Sequence, residues 1–149
     1  MLSIPKQFYD AMIEQALAEY PNECCGLLAG LPAACVPARQ GPAGKDGRVA
    51  QIYKMTNTQH SPINYLMDPR EQFVAFKEMR AKGLSLLAIY HSHPHTQAYP
   101  SKTDVRLAYY PEAAYLILSL EDKAKPVLNA YRISSDEGET ITPELFEVQ

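Results

Sequence analysis

The sequence is short of several things, and each shortage excludes a class of protein. No stretch approaches the roughly 18 apolar residues of a membrane span. The N-terminal segment, MLSIPKQFYDAMIEQALAEY, lacks the apolar core of a signal peptide. Charge of one sign is scarce: 14 Lys and Arg stand against 17 Asp and Glu, a formal net charge of −3. A weakly acidic chain lacks the basic surface that bulk nucleic-acid binding needs. Cysteine is limited to three residues, Cys24, Cys25 and Cys35. An odd number with two adjacent members is no disulfide framework and points to a reducing compartment. Internal repeats are absent, and only residues 30–48, GLPAACVPARQGPAGKDGR, are compositionally biased. These absences predict a cytoplasmic protein with neither membrane nor nucleic acid as partner.

What remains is an ordinary globular composition. The 149 residues, 46% hydrophobic and 21% charged, suit one domain spanning 1–149 whose core needs no staples. Residues 3–20 read as a helix, with Ser3 as cap and Pro5 in the first turn. Phe8, Met12, Ala16 and Tyr20 fall four apart on one stripe, and Pro21-Asn22 ends it. Residues 23–29, ECCGLLA, read as a buried strand, 30–48 as a long mobile hairpin loop and 49–55 as a second strand. Residues 56–67 are polar, with a short strand around Tyr65. Asp68 then caps a helix with Pro69 at its first position. Glu71 stands where it can bond back to the cap, and Gly83 closes the helix. Phe73, Phe76 and Met79 recur on one face. Residues 84–90, LSLLAIY, are the most apolar strand and read as central. A short helix at 102–109 ends at Pro111. Strands at 114–120 and 126–133 pair across the turn EDKAK, and the tail TPELFEVQ forms an edge strand or stays loose. Helices interleaved with strands predict an α/β layered domain around one mixed sheet.

The informative stretch is HSHPHTQAYPSKTD, residues 91–104. His91 and His93 stand two apart at a strand end, so both side chains leave the same face. Two imidazoles converging on one point suit a divalent metal, and strand ends are where open α/β sheets bind ligands. Pro94 stops ladder pairing directly afterwards. Asp104 can return as a third ligand. Two His and one carboxylate leave a fourth position open, as in catalytic zinc sites, although non-haem iron uses the same set. Ser101-x-x-Asp104 also reads as a helix cap that fixes where Asp104 points.

His91-x-His93-Pro94, followed after six residues by Ser101-x-x-Asp104, resembles the zinc motif of the JAMM (MPN+) metallopeptidases. The family carries a Glu on the strand after its first helix, and Glu23 in NECCGLLAG stands there. The resemblance covers most of the chain and implies an α+β fold, a mixed sheet flanked by helices, similar to the cytidine-deaminase architecture. The deaminase signature itself and the H-E-x-x-H helix of other zinc proteases are absent. Carried over, His91, His93 and Asp104 would hold one Zn2+ per chain with a water in the fourth position. Glu23 would act as general base and then acid, and Ser101 would donate to the oxyanion.

Cys24 and Cys25 read as small buried hydrophobes and not as nucleophiles. His60 and His95 read as surface residues or at most substrate contacts, and Tyr65 and Tyr99 as groove-lining. Only about nine residues separate Asp104 from the next strand, which leaves no room for a large insertion. That compactness resembles the short stand-alone bacterial members of the family. The resemblance implies hydrolysis after the C-terminal Gly-Gly of a ubiquitin-like sulfur-carrier protein, releasing cysteine or a short extension. The alternatives are an isopeptidase that removes a ubiquitin-like modifier from Lys and, in another class, a non-catalytic MPN-type interaction module.

Overall fold

The computed structural model describes residues 1–32, 47–135 and 138–149. Along the chain run β1 (Leu2–Ile4), α1 (Lys6–Glu19), β2 (Cys25–Pro32), β3 (Gly47–Met55), α2 (Pro69–Lys82), β4 (Ser85–His93), α3 (Lys102–Arg106), β5 (Ala114–Ser119), β6 (Val127–Ser134), β7 (Thr140–Glu144) and β8 (Phe146–Val148). No helix among the described residues is long and apolar enough to cross a membrane. The strands form one mixed sheet in the order β7-β6-β5-β4-β2-β3-β1-β8. β4 pairs antiparallel with β2 and parallel with β5, so the strand that ends in the two histidines is central, as its apolar run predicts. The sheet's two end strands, β7 and β8, are separated along the chain only by Leu145. Consecutive Cα atoms lie about 3.8 Å apart, so the sheet must curl until its two ends meet.

Strand alternation divides the core in two. One cluster takes Leu28, Ala88, Tyr90, Leu116 and Leu118 from the strands and Met12 and Ala16 from α1. Phe8 and Tyr20 pack against it, so the expected four-residue stripe is the packed face of α1. The other takes Leu27, Ile89, Tyr115 and Ile117, with Ala75 and Met79 of α2 and Val105 of α3. His91 and His93 share the parity of Ile89 and therefore open toward the α2 and α3 side.

Several expectations are corrected. Ser3 caps nothing: it lies within β1, and α1 starts after Pro5 with no side-chain cap. Glu71 does not bond back to the start of α2. Asp68 caps Arg70 N, while both Glu71 oxygens accept from Thr56, the backbone N at 2.6 Å and Oγ1 at 3.0 Å. Phe73 is 70% exposed because Ala75 and Met79 face the sheet. Tyr65 lies in no strand; the segment bridges at Asn57 and Met67 instead. The third helix stops at Arg106 and not at 109. The tail supplies two strands, β7 at one edge and β8 at the other. Pairing of β2 with β3 runs out to Pro32 and Gly47, so strand replaces both ends of the expected 30–48 loop. The rest of that loop and Cys35 lie outside the described residues.

Candidate metal centre and catalytic site

β4 delivers His91 and His93 side by side. Their Nε2 atoms lie 3.0 Å apart, and each lies 3.1 Å from Asp104 Oδ2. Asp104 reaches them from α3. Ser101 Oγ accepts from Asp104 N at 3.1 Å, and Asp104 Oδ2 accepts from Ser101 N at 2.9 Å, a reciprocal capping box. The cap and the approach to the histidines therefore coexist. The Ser101 hydroxyl oxygen accepts in this cap, which leaves its proton free to donate elsewhere.

His93 Nδ1 donates to Gln97 O at 2.9 Å, which leaves the Nε2 lone pair facing His91 and Asp104. Burial alone would lower its pKa, but the Asp104 carboxylate outweighs burial and raises it. His91 is more enclosed, and burial lowers its pKa despite Asp104. Its Nδ1 has no hydrogen-bond partner among the described residues. The Tyr65 ring stacks on its imidazole instead, centroids 4.6 Å apart and planes 26° apart. The Asp104 carboxyl, despite burial, sits well below the usual range because the two imidazoles and the Ser101 backbone N–H lie against it.

Glu23 lies two residues before β2, not within the strand expected at 23–29, and is 3% exposed. Its backbone is held twice: Glu23 N donates to Ser61 O at 2.9 Å, and Glu23 O accepts from Asn57 Nδ2 at 3.0 Å. The next residue is tied to β4, where Cys24 N donates to Ser92 Oγ at 2.8 Å and Ser92 N to Cys24 O at 3.0 Å. Glu23, His91 and His93 present ligand atoms within 4.8 Å of one another. Burial pushes the Glu23 carboxyl up to about 8; His93 opposes this rise and Asp104 adds to it. Glu23 Oε1 is buried without a partner among the described residues.

This donor set suits a cation. The His93 tautomer set by Gln97 turns an Nε2 lone pair toward the other two ligand atoms. Three such atoms this close repel unless a proton or a metal lies between them. A tetrahedral zinc with bonds of about 2.0–2.1 Å separates its ligand atoms by about 3.3 Å, close to the observed triangle. The unpartnered Glu23 oxygen lies at its edge.

Other singled-out residues sort cleanly. Cys24 and Cys25 are buried free thiols; burial pushes Cys24 up to about 12 and Cys25 higher still, which keeps both protonated. His60 is exposed. His95 is exposed and accepts or donates at Tyr20 Oη, 3.3 Å away. Tyr99 is half exposed and packs edge-on against Tyr131. Sequence reasoning assigned no role to Asn57, Ser92 or Gln97. Only Ser92 carried a signal, since alternation turns it away from the histidines and toward the opposite face.

A family model described as prokaryotic homologs of the JAB domain matches residues 5–134. The CysO-cysteine peptidase of Mycobacterium tuberculosis is 38% identical over 133 residues, 89% of this chain and 83% of its own. A desampylase of Haloferax volcanii is 29% identical over 126 residues, 83% of this chain and 78% of its own. A solution structure of a Desulfitobacterium hafniense protein superposes with a TM-score of 0.84 at 37% identity, covering 100% of this chain and 93% of that one. The match spans both the Glu23 segment and the His91–Asp104 segment, and the chain belongs to the prokaryotic JAB-domain family of JAMM-type hydrolases.

Proposed function

We propose that this chain is a cytoplasmic zinc peptidase that cleaves after the C-terminal Gly-Gly of a ubiquitin-like sulfur-carrier protein, releasing cysteine or a short extension. The observation that carries the chemistry is the meeting of His91, His93 and Asp104 at 3.0–3.1 Å beside buried Glu23, whose Oε1 has no partner among the described residues. The three ligand atoms would hold one Zn2+. Bound there, zinc would supply Lewis acidity, polarising a carbonyl and making hydroxide accessible near neutral pH. Glu23, at the edge of this ligand triangle, would take a proton from the attacking water and return it to the leaving amine. Ser101 donates its free hydroxyl proton to the oxyanion that develops on the substrate carbonyl. Gln97 holds the His93 tautomer, and the Ser101 backbone N–H orients Asp104. The relative named CysO-cysteine peptidase supports the carrier-Gly-Gly-Cys substrate.

The desampylase match supports a second reading, an isopeptidase that removes a ubiquitin-like modifier from Lys. Mass spectrometry of a carrier ending Gly-Gly-Cys, incubated with zinc-loaded protein, separates the two. We expect loss of the terminal cysteine and its abolition by chelator. Intact carrier alongside cleavage of a Lys ε-linked conjugate would transfer the assignment to the isopeptidase. If neither substrate is cut by protein that holds zinc, both readings fail.

A further inference from the structure

The two histidines of the triangle are held in different ways. His93 Nδ1 has the Gln97 carbonyl at 2.9 Å. His91 Nδ1 is buried without a hydrogen-bond partner among the described residues. A metal-binding imidazole ordinarily takes its orientation from an acceptor at its second nitrogen. His91 takes it from elsewhere, because a ring free to turn about Cβ–Cγ would carry Nε2 out of the triangle.

What lies against His91 is flat. The Tyr65 ring faces the imidazole with centroids 4.6 Å apart and planes 26° apart, an offset stack. The His93 imidazole, at 4.9 Å, is tilted by 60° and offers no parallel face. Tyr65 is itself anchored through both of its chain neighbours. Asn64 O accepts from Asn57 Nδ2 at 3.0 Å, and Leu66 N donates to Asn57 Oδ1 at 3.1 Å. Leu66 O accepts in turn from Thr58 N at 2.9 Å. The segment that carries the ring is therefore fixed to the same Asn57 that holds the Glu23 backbone.

We propose that Tyr65 is a positioning residue of the metal centre: its ring fixes the plane of His91, in place of an acceptor at Nδ1, and so aims Nε2 at the cation. The inference rests on the metal reading in the function proposed above. A quarter-turn of the imidazole about Cβ–Cγ would drive its edge into the Tyr65 face. That leaves the observed orientation and its half-turn, which would exchange nitrogen for carbon. Only the observed one gives Nε2 its 3.1 Å approach to Asp104 Oδ2. The stack therefore selects the plane, and Asp104 selects between its two senses. The aromatic face does this, and the Tyr65 hydroxyl has no part in it.

Zinc affinity, measured by competition with a chromogenic chelator, tests this without any substrate. Tyr65→Phe keeps the face and should bind zinc within about twofold of wild type. Tyr65→Leu and Tyr65→Met keep apolar bulk but lose the face, and each should bind zinc about tenfold more weakly. Circular dichroism melting in chelator identifies the folded variants, and either of the last two suffices. Proton–nitrogen correlation spectra of the zinc-loaded proteins add a signature that lost stability alone would not produce. The His91 ring signals should shift or broaden in the Leu and Met variants while those of His93 stay in place. Equal zinc affinity in all variants, an equal loss in Tyr65→Phe, or a loss that leaves the His91 signals unmoved overturns the inference. Weakened zinc binding in the Leu and Met variants alongside an uncut Gly-Gly-Cys carrier would keep the role of Tyr65 and reject the proposed substrate. Wild-type protein that takes up no zinc would reject the metal reading and this inference with it.

Discussion

Glu23 is charged with difficulty, and that difficulty is measurable. Burial and the nearby Asp104 carboxylate raise its pKa from 4.5 to about 8, against the pull of His93. In metal-stripped protein the folded state therefore binds more protons than the unfolded state between those two values. Stability from this group is complete below about pH 4.5 and is lost as pH rises toward 8. Glu23→Gln should remove that slope, gaining up to a few kcal/mol relative to wild type at pH 8 and little at pH 4.5. Urea unfolding at the two pH values measures it. Asn57 controls the same residue through the backbone. Its Nδ2 donates to Glu23 O and Asn64 O, both at 3.0 Å, and its Oδ1 accepts from Gln59 N and Leu66 N, both at 3.1 Å. Asn57→Leu strands those partners, at a cost of about 1–3 kcal/mol for the buried Glu23 carbonyl. We expect a loss of kcat larger than any change in zinc stoichiometry, because the Asn57 side chain bonds Glu23 through its backbone carbonyl. Unchanged turnover would show that Glu23 is placed without it.

At the scale of elements, β2 and β4 build the site together. Cys25 pairs with His91 and Gly26 with Tyr90. The hydroxyl end of the Tyr90 ring fills the space over Gly26: a Cβ there would stand 2.2 Å from Tyr90 Cζ. The ring cannot swing away, because its hydroxyl donates to Gln15 Oε1 at 2.6 Å and Gln15 Nε2 donates to Cys25 O at 3.1 Å. This latch ties α1 to the strands beneath the histidines. Gly26→Ala should therefore cost about 1–3 kcal/mol, several degrees in Tm, and weaken zinc binding through β4. Thermal melts with and without zinc check both effects. The elements also show where local rules stop. Gly83 ends α2 at φ 67°, where a residue without Cβ is favoured, and the sequence alone places it. Glu71 stood at the capping position, yet Thr56 offered it two donors and took it. Spacing within a helix cannot reveal a competing partner fifteen residues away.

At the scale of the molecule, the tail closes the sheet. β8 pairs with β1 through Leu2, Ser3 and Ile4, Gln149 N donates to Ile4 O at 3.0 Å, and Lys6 N donates to Gln149 O. Phe146 packs on the α1 core. Removing residues 145–149 would leave β1 paired on its β3 side alone and uncover that core. We expect a lowered Tm and protease sensitivity at the N-terminal strand, with the His91–Asp104 geometry retained because β4 is remote from that edge. Limited proteolysis followed by zinc titration of the surviving fragment reads both.

The sequence by itself determined what short-range stereochemistry controls. Period-two alternation put His91 and His93 on one face, the apolar run made β4 central, and Ser101-x-x-Asp104 formed its cap. Each depends on residues a few positions apart. Tertiary structure alone decided the rest. Whether Glu23 would be a solvated turn residue or a buried carboxyl depended on bonds to Ser61, Asn57 and, through Cys24, to Ser92, 68 positions from Cys24. Phe73 or Ala75 on the packed face of α2 was a choice of helix rotation that the strands made. Whether the tail paired at all depended on a curl that brings both ends of the sheet to Leu145. Periodicity orients a side chain within its own element, but burial, pKa and partnership arise from which elements meet, and long-range register sets that.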